Sequence, residues 1–302
     1  MCMHFLKTSV AVIFIASTSI ASIAQNPFKP IPNEDWKNVT VLDSAFMRVE
    51  YKMTFRDALF YKSSNKEFPK THVFTDKQYV SDKRIVEIGK TLRKDYSRNL
   101  EELEQDNRKL IDEGRNPRNF GKDYAYPYEY FVFNDGSVKT NARTLMNGPI
   151  IQFSEREDKI DWELTGNSAE VCGRQCSEAK TQFHGRAFSA WFCSEIPVSS
   201  GPWKLGGLPG LILKAESDDG SYRWEMTGIE QGSWPIYEKQ YNFQKCSEKE
   251  AGKLLEDIFA QPFIFMGKIG MKVMMPDGKG GVRSPGETDN SISMYYNPLE
   301  KD

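Results

Sequence analysis

Gly201-Pro202-Trp203-Lys204-Leu205-Gly206-Gly207-Leu208-Pro209-Gly210-Leu211-Ile212-Leu213 crowds glycine, proline and bulky apolar residues more closely than any other stretch of this 302-residue chain. Its glycines permit positive φ or close backbone approach, and its prolines fix φ. The stretch therefore reads as an ordered loop feeding a buried strand, and not as a flexible linker. Just beyond it, Asp218-Asp219-Gly220 is a turn, after which Tyr222, Trp224 and Met226 alternate with Arg223, Glu225 and Thr227. Loop, strand, turn and alternating strand together predict an antiparallel β fold.

Working outward, the β pattern recurs. Met47, Val49, Tyr51, Met53 and Phe55 alternate without error with Arg48, Glu50, Lys52 and Thr54, a half-buried strand. Further strands are expected at Arg84–Gly89, Pro149–Phe153 and Lys159–Leu164, and a hairpin at Tyr130–Thr140 around Asn134-Asp135-Gly136. Ser97–Asp112 carries Leu100, Leu103, Leu110 and Ile111 on a narrow stripe, which predicts a helix that buries little and lies on the sheet edge or projects from it. Ser247 followed by Glu250 is a capping box for a helix over Glu248–Phe259.

The expected layout is one β-rich domain over residues 41–275 with a helical insert at about 97–113. A polar leader at 25–40 precedes it, and an irregular Gly/Pro/Ser-rich tail follows at 276–302. The first 24 residues place Lys7 ahead of an apolar run, Val10–Ala16, and end on Ser22 and Ala24, the pattern of a cleaved secretory signal. That run falls short of a membrane span, so an exported protein of the periplasm or outer membrane, without an integral membrane segment, is expected. A formal charge of −2, from 40 basic and 42 acidic residues, gives no reason to expect nucleic acid as a partner.

Export puts the mature cysteines, Cys172, Cys176, Cys193 and Cys246, in an oxidising compartment. If His184-Gly185 is a two-residue turn, the hairpin register sets Cys176 opposite Cys193 and gathers Phe183, Ala179, Phe188, Ala190 and Phe192 on a core face. Cys172 then lies roughly 13 Å along the strand from Cys176. That separation is too great for a bridge, which leaves Cys246 as its partner. A metal site from Cys172, Cys176, Cys193 and His184 is the rival reading. Its Cys-x3-Cys spacing is a weak zinc signal in an exported chain, so neither metal nor cofactor is expected.

The chain resembles the GLPGLI family, exported proteins mainly of Bacteroidota named for the string found here at Gly207–Ile212. The likeness extends over Glu87–Lys90, Asp161–Leu164, Cys176–Ala179, Phe183, Gly185-Arg186, Ala190–Phe192, Glu195–Pro197, Gly201–Trp203 and Tyr296–Glu300. Arg174 stands where an aromatic is common, and Cys172 and Cys193 are additions to the family's one frequent cysteine, Cys176. The family's functions are largely unknown. The resemblance implies a mainly β (α+β) architecture like the lipoprotein-carrier fold, a curved antiparallel half-barrel with about two helices across its open face.

For function, the sequence contains no Gly-x-Ser-x-Gly elbow, His-Glu-x-x-His helix or phosphate-cradling loop. Glu155, Glu157, Asp158, Asp218 and Asp219 read as solvated turn carboxylates, and no catalytic residue is assigned. The first expectation is a non-enzymatic envelope binding protein holding an apolar ligand or a peptide, motivated by residues such as Trp191, Trp203, Trp224, Phe263 and Met266. The alternative is an accessory protein docking on an outer-membrane or periplasmic protein, and an uncharacterised hydrolase comes last. Trp191, Trp203, Leu208 and Pro209 are the candidate contact residues.

Overall fold

The alternation at Met47–Phe55 sets the architecture, because a strand with one apolar face must pair on both edges and cover that face. In the computed structural model, which describes residues 38–56, 61–63, 79–116, 124–157, 159–271, 275–276, 282–283, 292–294 and 296–301, this strand is β1 (Val39–Arg56). The remaining elements run β2 (Tyr61–Ser63), β3 (Tyr79–Ile88), β4 (Leu92–Ser97), α1 (Arg98–Asp112), β5 (Tyr128–Phe133), β6 (Ser137–Arg143), β7 (Ile150–Arg156), β8 (Glu163–Val171), β9 (Arg174–Phe183), β10 (Arg186–Cys193), β11 (Leu211–Ser217), β12 (Tyr222–Lys239), β13 (Phe243–Lys245), α2 (Glu248–Ala260), α3 (Pro262–Lys268), β14 (Met275–Pro276), β15 (Val282–Arg283) and β16 (Ile292–Met294). The expected export signal, the leader up to residue 37 and Asp158 lie outside the described residues.

Two compact units emerge. Among the described residues, one comprises those within Gln25–Asp57, Phe74–Gly252 and Asn297–Asp302, the other those within Ala58–Val73 and Lys253–Tyr296. In the first, a 12-stranded open sheet runs β13-β7-β6-β5-β4-β3-β1-β12-β11-β10-β9-β8. Every pairing is antiparallel except that of β13 with β7. The mainly β, curved open-sheet class expected from the sequence is the one found, with three α-helices among the described residues. In the second unit β16 pairs with β2 and β14 with β15, and the Phe259 and Tyr296 rings lie 5.0 Å apart.

Most local expectations match the elements. The His184-Gly185 turn has φ of 47° and 67°, the doubly positive geometry of a type I′ hairpin, and Phe183 pairs with Arg186 as the register requires. Ser247 and Glu250 form the reciprocal capping box, with Ser247 N donating to Glu250 Oε2 at 2.9 Å and Glu250 N to Ser247 Oγ at 3.3 Å.

Two elements depart from expectation. β8 starts at Glu163 and runs to Val171, so it extends well beyond the strand expected at Lys159–Leu164. Helix α1 buries more than its leucines, because Glu104 and Asn107 are buried as well. Glu104 is paired with Lys239 Nζ at 2.6 Å and with Arg143, so an ionic contact supplies what a narrow apolar stripe lacks. At the chain end, Asn297–Lys301 packs within the sheet unit, and Leu299 is buried in its core.

Candidate functional site

The Gly201–Gly210 loop lies inside its own unit, and side chains supply most of its backbone partners. Asp95 Oδ2 accepts from Trp203 N at 2.5 Å, Arg93 Nη2 donates to Lys204 O at 2.7 Å, and Trp162 Nε1 donates to Gly206 O at 2.8 Å. Tyr51 OH donates to Ile212 O at 2.7 Å, tying the following strand to β1. Trp203 itself takes φ +54°, left-handed backbone for a bulky residue, and its ring lies parallel to Trp224 at 6.4 Å. Gly207, at φ +86°, is where only glycine is unstrained.

Two of the expected contact residues are therefore corrected. Trp203 is 1% exposed and Leu208 2%, both within the core, because the loop closes over the apolar face of β1. They cannot meet a partner without unfolding. Trp191 is half-buried against that core, and only Pro209, with Gly207, is exposed at the loop. Trp224 is core too, and Phe263 and Met266 are buried in α3, so these aromatics and methionines fill the interior.

Beneath the loop sits a buried charge network that the sequence reading passed over. Arg84 donates to Asp95 Oδ1 through Nε at 2.8 Å and lies 3.4 Å from Asp82 Oδ2. Burial pushes Asp82 up to about 6 even against the pull of Arg84. The network joins β3 and β4 to the loop through Asp95.

A second cluster forms around Lys204, whose side chain is 1% exposed. Its Nζ lies 2.7 Å from Glu155, 2.6 Å from Glu157 and 2.9 Å from Glu300. His184 Nε2 is 2.8 Å from Glu157 Oε2, and its Nδ1 is 3.9 Å from Glu300. Burial opposes the charge on His184, yet the Glu157 hydrogen bond and the Glu300 charge outweigh it and push the imidazole up to about 9. Burial, helped by the neighbouring carboxylates, raises Glu155 above the usual carboxylate range, whereas His184 and Lys204 overcome burial at Glu157 and hold it below that range. Glu155 and Glu157 are thus not solvated turn residues: strand β7 presents Glu155 to the loop, where it meets Lys204.

Glu155, His184 and Glu300 offer ligand atoms within 4.8 Å of one another, the metal-capable group found among the described residues. The Lys204 ammonium already occupies the cation's place between these carboxylates. No cysteine joins the group, so the rival metal reading built on Cys172, Cys176, Cys193 and His184 is not assembled.

The four cysteines among the described residues are free thiols. The β9–β10 register does oppose Cys176 and Cys193, and the two thiols are hydrogen-bonded, unlinked and buried. The expected Cys172–Cys246 bridge is absent. Cys172 lies in the β8–β9 turn with its thiol donating to Met226 O at 3.2 Å, and Cys246 follows β13 at the other end of the strand order.

Two cavities among the described residues of the sheet unit bear on a ligand. One, of about 30 Å³ beneath α1 and beside Glu104, Arg143 and Lys239, has room for a water or two. The other, of about 490 Å³, is lined largely by Arg48, Glu50, Arg98, Glu101, Glu102 and Glu230, a surface hostile to an apolar ligand.

What remains open is an edge. β8 ends the strand order and is exposed along most of its length, with Leu164 62% exposed. A register shift between Leu164 and Ser168, with Gly166 at φ +78°, splits it into two short segments. Bulges and charges such as Glu163 and Glu170 are the devices by which edges resist indiscriminate pairing.

Comparison with known proteins places the middle of the chain in context. A family profile described as "Protein of unknown function (Porph_ging)" matches residues 139–214, which include the Gly207–Ile212 string. No curated protein matches. Two crystal forms of PNGF-II are similar, with TM-scores of 0.44 and 0.41 at 14% identity, over 71% of this chain and 33% of that one. The chain thus spans about a third of the length of those solved structures. Among the described residues, no helix is long and apolar enough to cross a membrane.

Proposed function

We propose that this chain is a non-enzymatic binding protein of the cell envelope that docks on another envelope protein through the β8 edge. The observation that carries the reading is the contrast between a filled loop face and an open edge. Trp203, Leu208 and Trp224 are consumed in the core, whereas β8 ends the sheet with Leu164 in solvent. An edge strand offers a row of backbone donors and acceptors that an extended segment of a partner pairs with, and its side chains confer selectivity. Of the two occupants the sequence leaves open, the cavities favour a polypeptide over an apolar ligand, since the larger one is ringed by charge. The ionisable cluster at Lys204 supports a structural role, because its charges are mutually satisfied and it lines neither cavity. The secretory-signal pattern of the first 24 residues and the resemblance of the central block to the GLPGLI family support a partner in the periplasm or outer membrane.

The test is site-specific photocrosslinking in the native envelope. A photoreactive residue at Ser168 on β8 is expected to give one discrete adduct, absent when placed at Lys52 and lost in a Leu164→Lys background. Adducts that survive Leu164→Lys, or a lipid retained in native mass spectrometry, would remove the edge from consideration.

A further inference from the structure

Arg186 follows the His184-Gly185 turn and is 3% exposed, with its guanidinium turned towards the end of the chain. Nε donates to Leu299 O at 2.9 Å, Nη2 donates to both Asn297 Oδ1 and Pro298 O at 2.6 Å, and Nη1 pairs with Asp219. Tyr222 OH donates to Asn297 O, and Lys301 N donates to His184 O at 3.0 Å. Three successive backbone carbonyls are thus received by side chains rather than by a strand. Leu299 enters the core at 3% exposure, and Glu300 meets Lys204 at 2.9 Å.

Every receiving group precedes Gly252, and the received segment follows Tyr296, after a run that belongs to the other compact unit. The segment therefore meets the sheet as a peptide meets a receptor. Its composition suits the receptor: Arg186 and Tyr222 present donors, so the best ligand is rich in carbonyls and poor in N–H groups. Pro298 supplies a carbonyl and no donor that would go unsatisfied. Asn297 adds a side-chain oxygen, Leu299 an apolar anchor and Glu300 the counter-charge to Lys204.

We propose that Arg186, Tyr222, His184 and Lys204 form a recognition site for an Asn-Pro-Leu-Glu segment, filled here by the chain's own Asn297–Glu300 and open to the same segment of a second copy. The site is distinct from the β8 edge and does not depend on it.

The experiment uses the full chain with its own tail disabled, Leu299→Asp with Glu300→Lys, and a fluorescent peptide of the sequence Tyr296–Asp302. Anisotropy is expected to show saturable binding to the tail variant and little to the wild type. Placing Glu300→Lys in the peptide should weaken binding roughly tenfold or more, as expected for a lost charged contact. Adding Arg186→Gln to the tail variant should abolish it. A tail variant that melts cooperatively yet ignores the peptide overturns the proposal. Hydrogen exchange on the wild type gives a reading independent of that variant's folding. The Lys301 amide should be protected, and excess unlabelled peptide should speed its exchange by displacing the tail. An unprotected Lys301 amide, or protection that the peptide leaves unchanged, equally counts against it.

Discussion

A Cβ added to Gly210 would lie 2.3 Å from the carbonyl oxygen of Cys193, closer than any side-chain carbon approaches a backbone oxygen. The loop and the end of β10 therefore touch backbone to backbone, and the second glycine of the Gly207–Ile212 string is fixed by contact and not by torsion. Gly210→Ala is expected to cost about 1–3 kcal/mol, as overpacking does, measured by urea denaturation. Pro209→Ala next to it, in solvent, should stay within about 0.5 kcal/mol. Similar losses at both positions would mean that the contact does not limit stability.

Asp95 holds both Arg84 and the Trp203 amide. Asp95→Ala leaves a fully buried guanidinium short of one counter-charge and should cost about 3–5 kcal/mol, with tryptophan emission shifting to the red as Trp203 loosens. Emission that stays put in a destabilised variant would separate the ion pair from the loop.

Protonation of His184 should give the fold a pH signature. The imidazole titrates at about 9 in the folded chain against 6.5 as the ordinary value, so its contribution is complete below pH 6.5 and lost as pH rises through 9. Glu155, raised by burial, works in the same direction, since the fold prefers its neutral form. Glu157 opposes them only in acid, where its contribution fades as pH falls below the usual carboxylate range. The melting temperature should drop between roughly pH 7 and 9.5. His184→Asn, which tolerates the left-handed backbone at φ 47°, should flatten that slope. An equally steep slope in the variant would assign the titration elsewhere.

Cys176 and Cys193 face each other with buried thiols, so oxidation should join them. Peptide mapping under non-reducing conditions is expected to show one 176–193 bridge and alkylatable thiols at 172 and 246. A bridge that includes Cys172 or Cys246 would contradict the register.

The parts legible in the sequence were those with a period or a turn chemistry: the β1 alternation, the His184-Gly185 hairpin and the Ser247–Glu250 box. Strand β4 escaped because its sequence, Leu-Arg-Lys-Asp-Tyr-Ser, buries Lys94 and Asp95, and a strand with charged inward positions has no apolar period to read. The Lys204 cluster escaped for a related reason. Its members come from β7, a turn, the loop and the chain end, and nothing in their spacing announces that they converge. One signal was available, a lysine between Trp203 and Leu205 in an otherwise apolar loop. The exposed length of β8 was also hidden, since a strand's place in the sheet order is a property of topology and not of its residues.

The sheet unit is discontinuous, and its last pieces meet partners far upstream: Arg186 waits for Leu299 across 113 residues. During synthesis the β-sheet can assemble while Arg186 and Lys204 still lack their tail-borne acceptors, so docking of the tail is expected to come last, at an entropic cost that grows only slowly with the chain it loops. A chain cut short before the tail thus leaves Arg186 with Asp219 and Lys204 with Glu155 and Glu157, a sheet whose last contacts are still unmade.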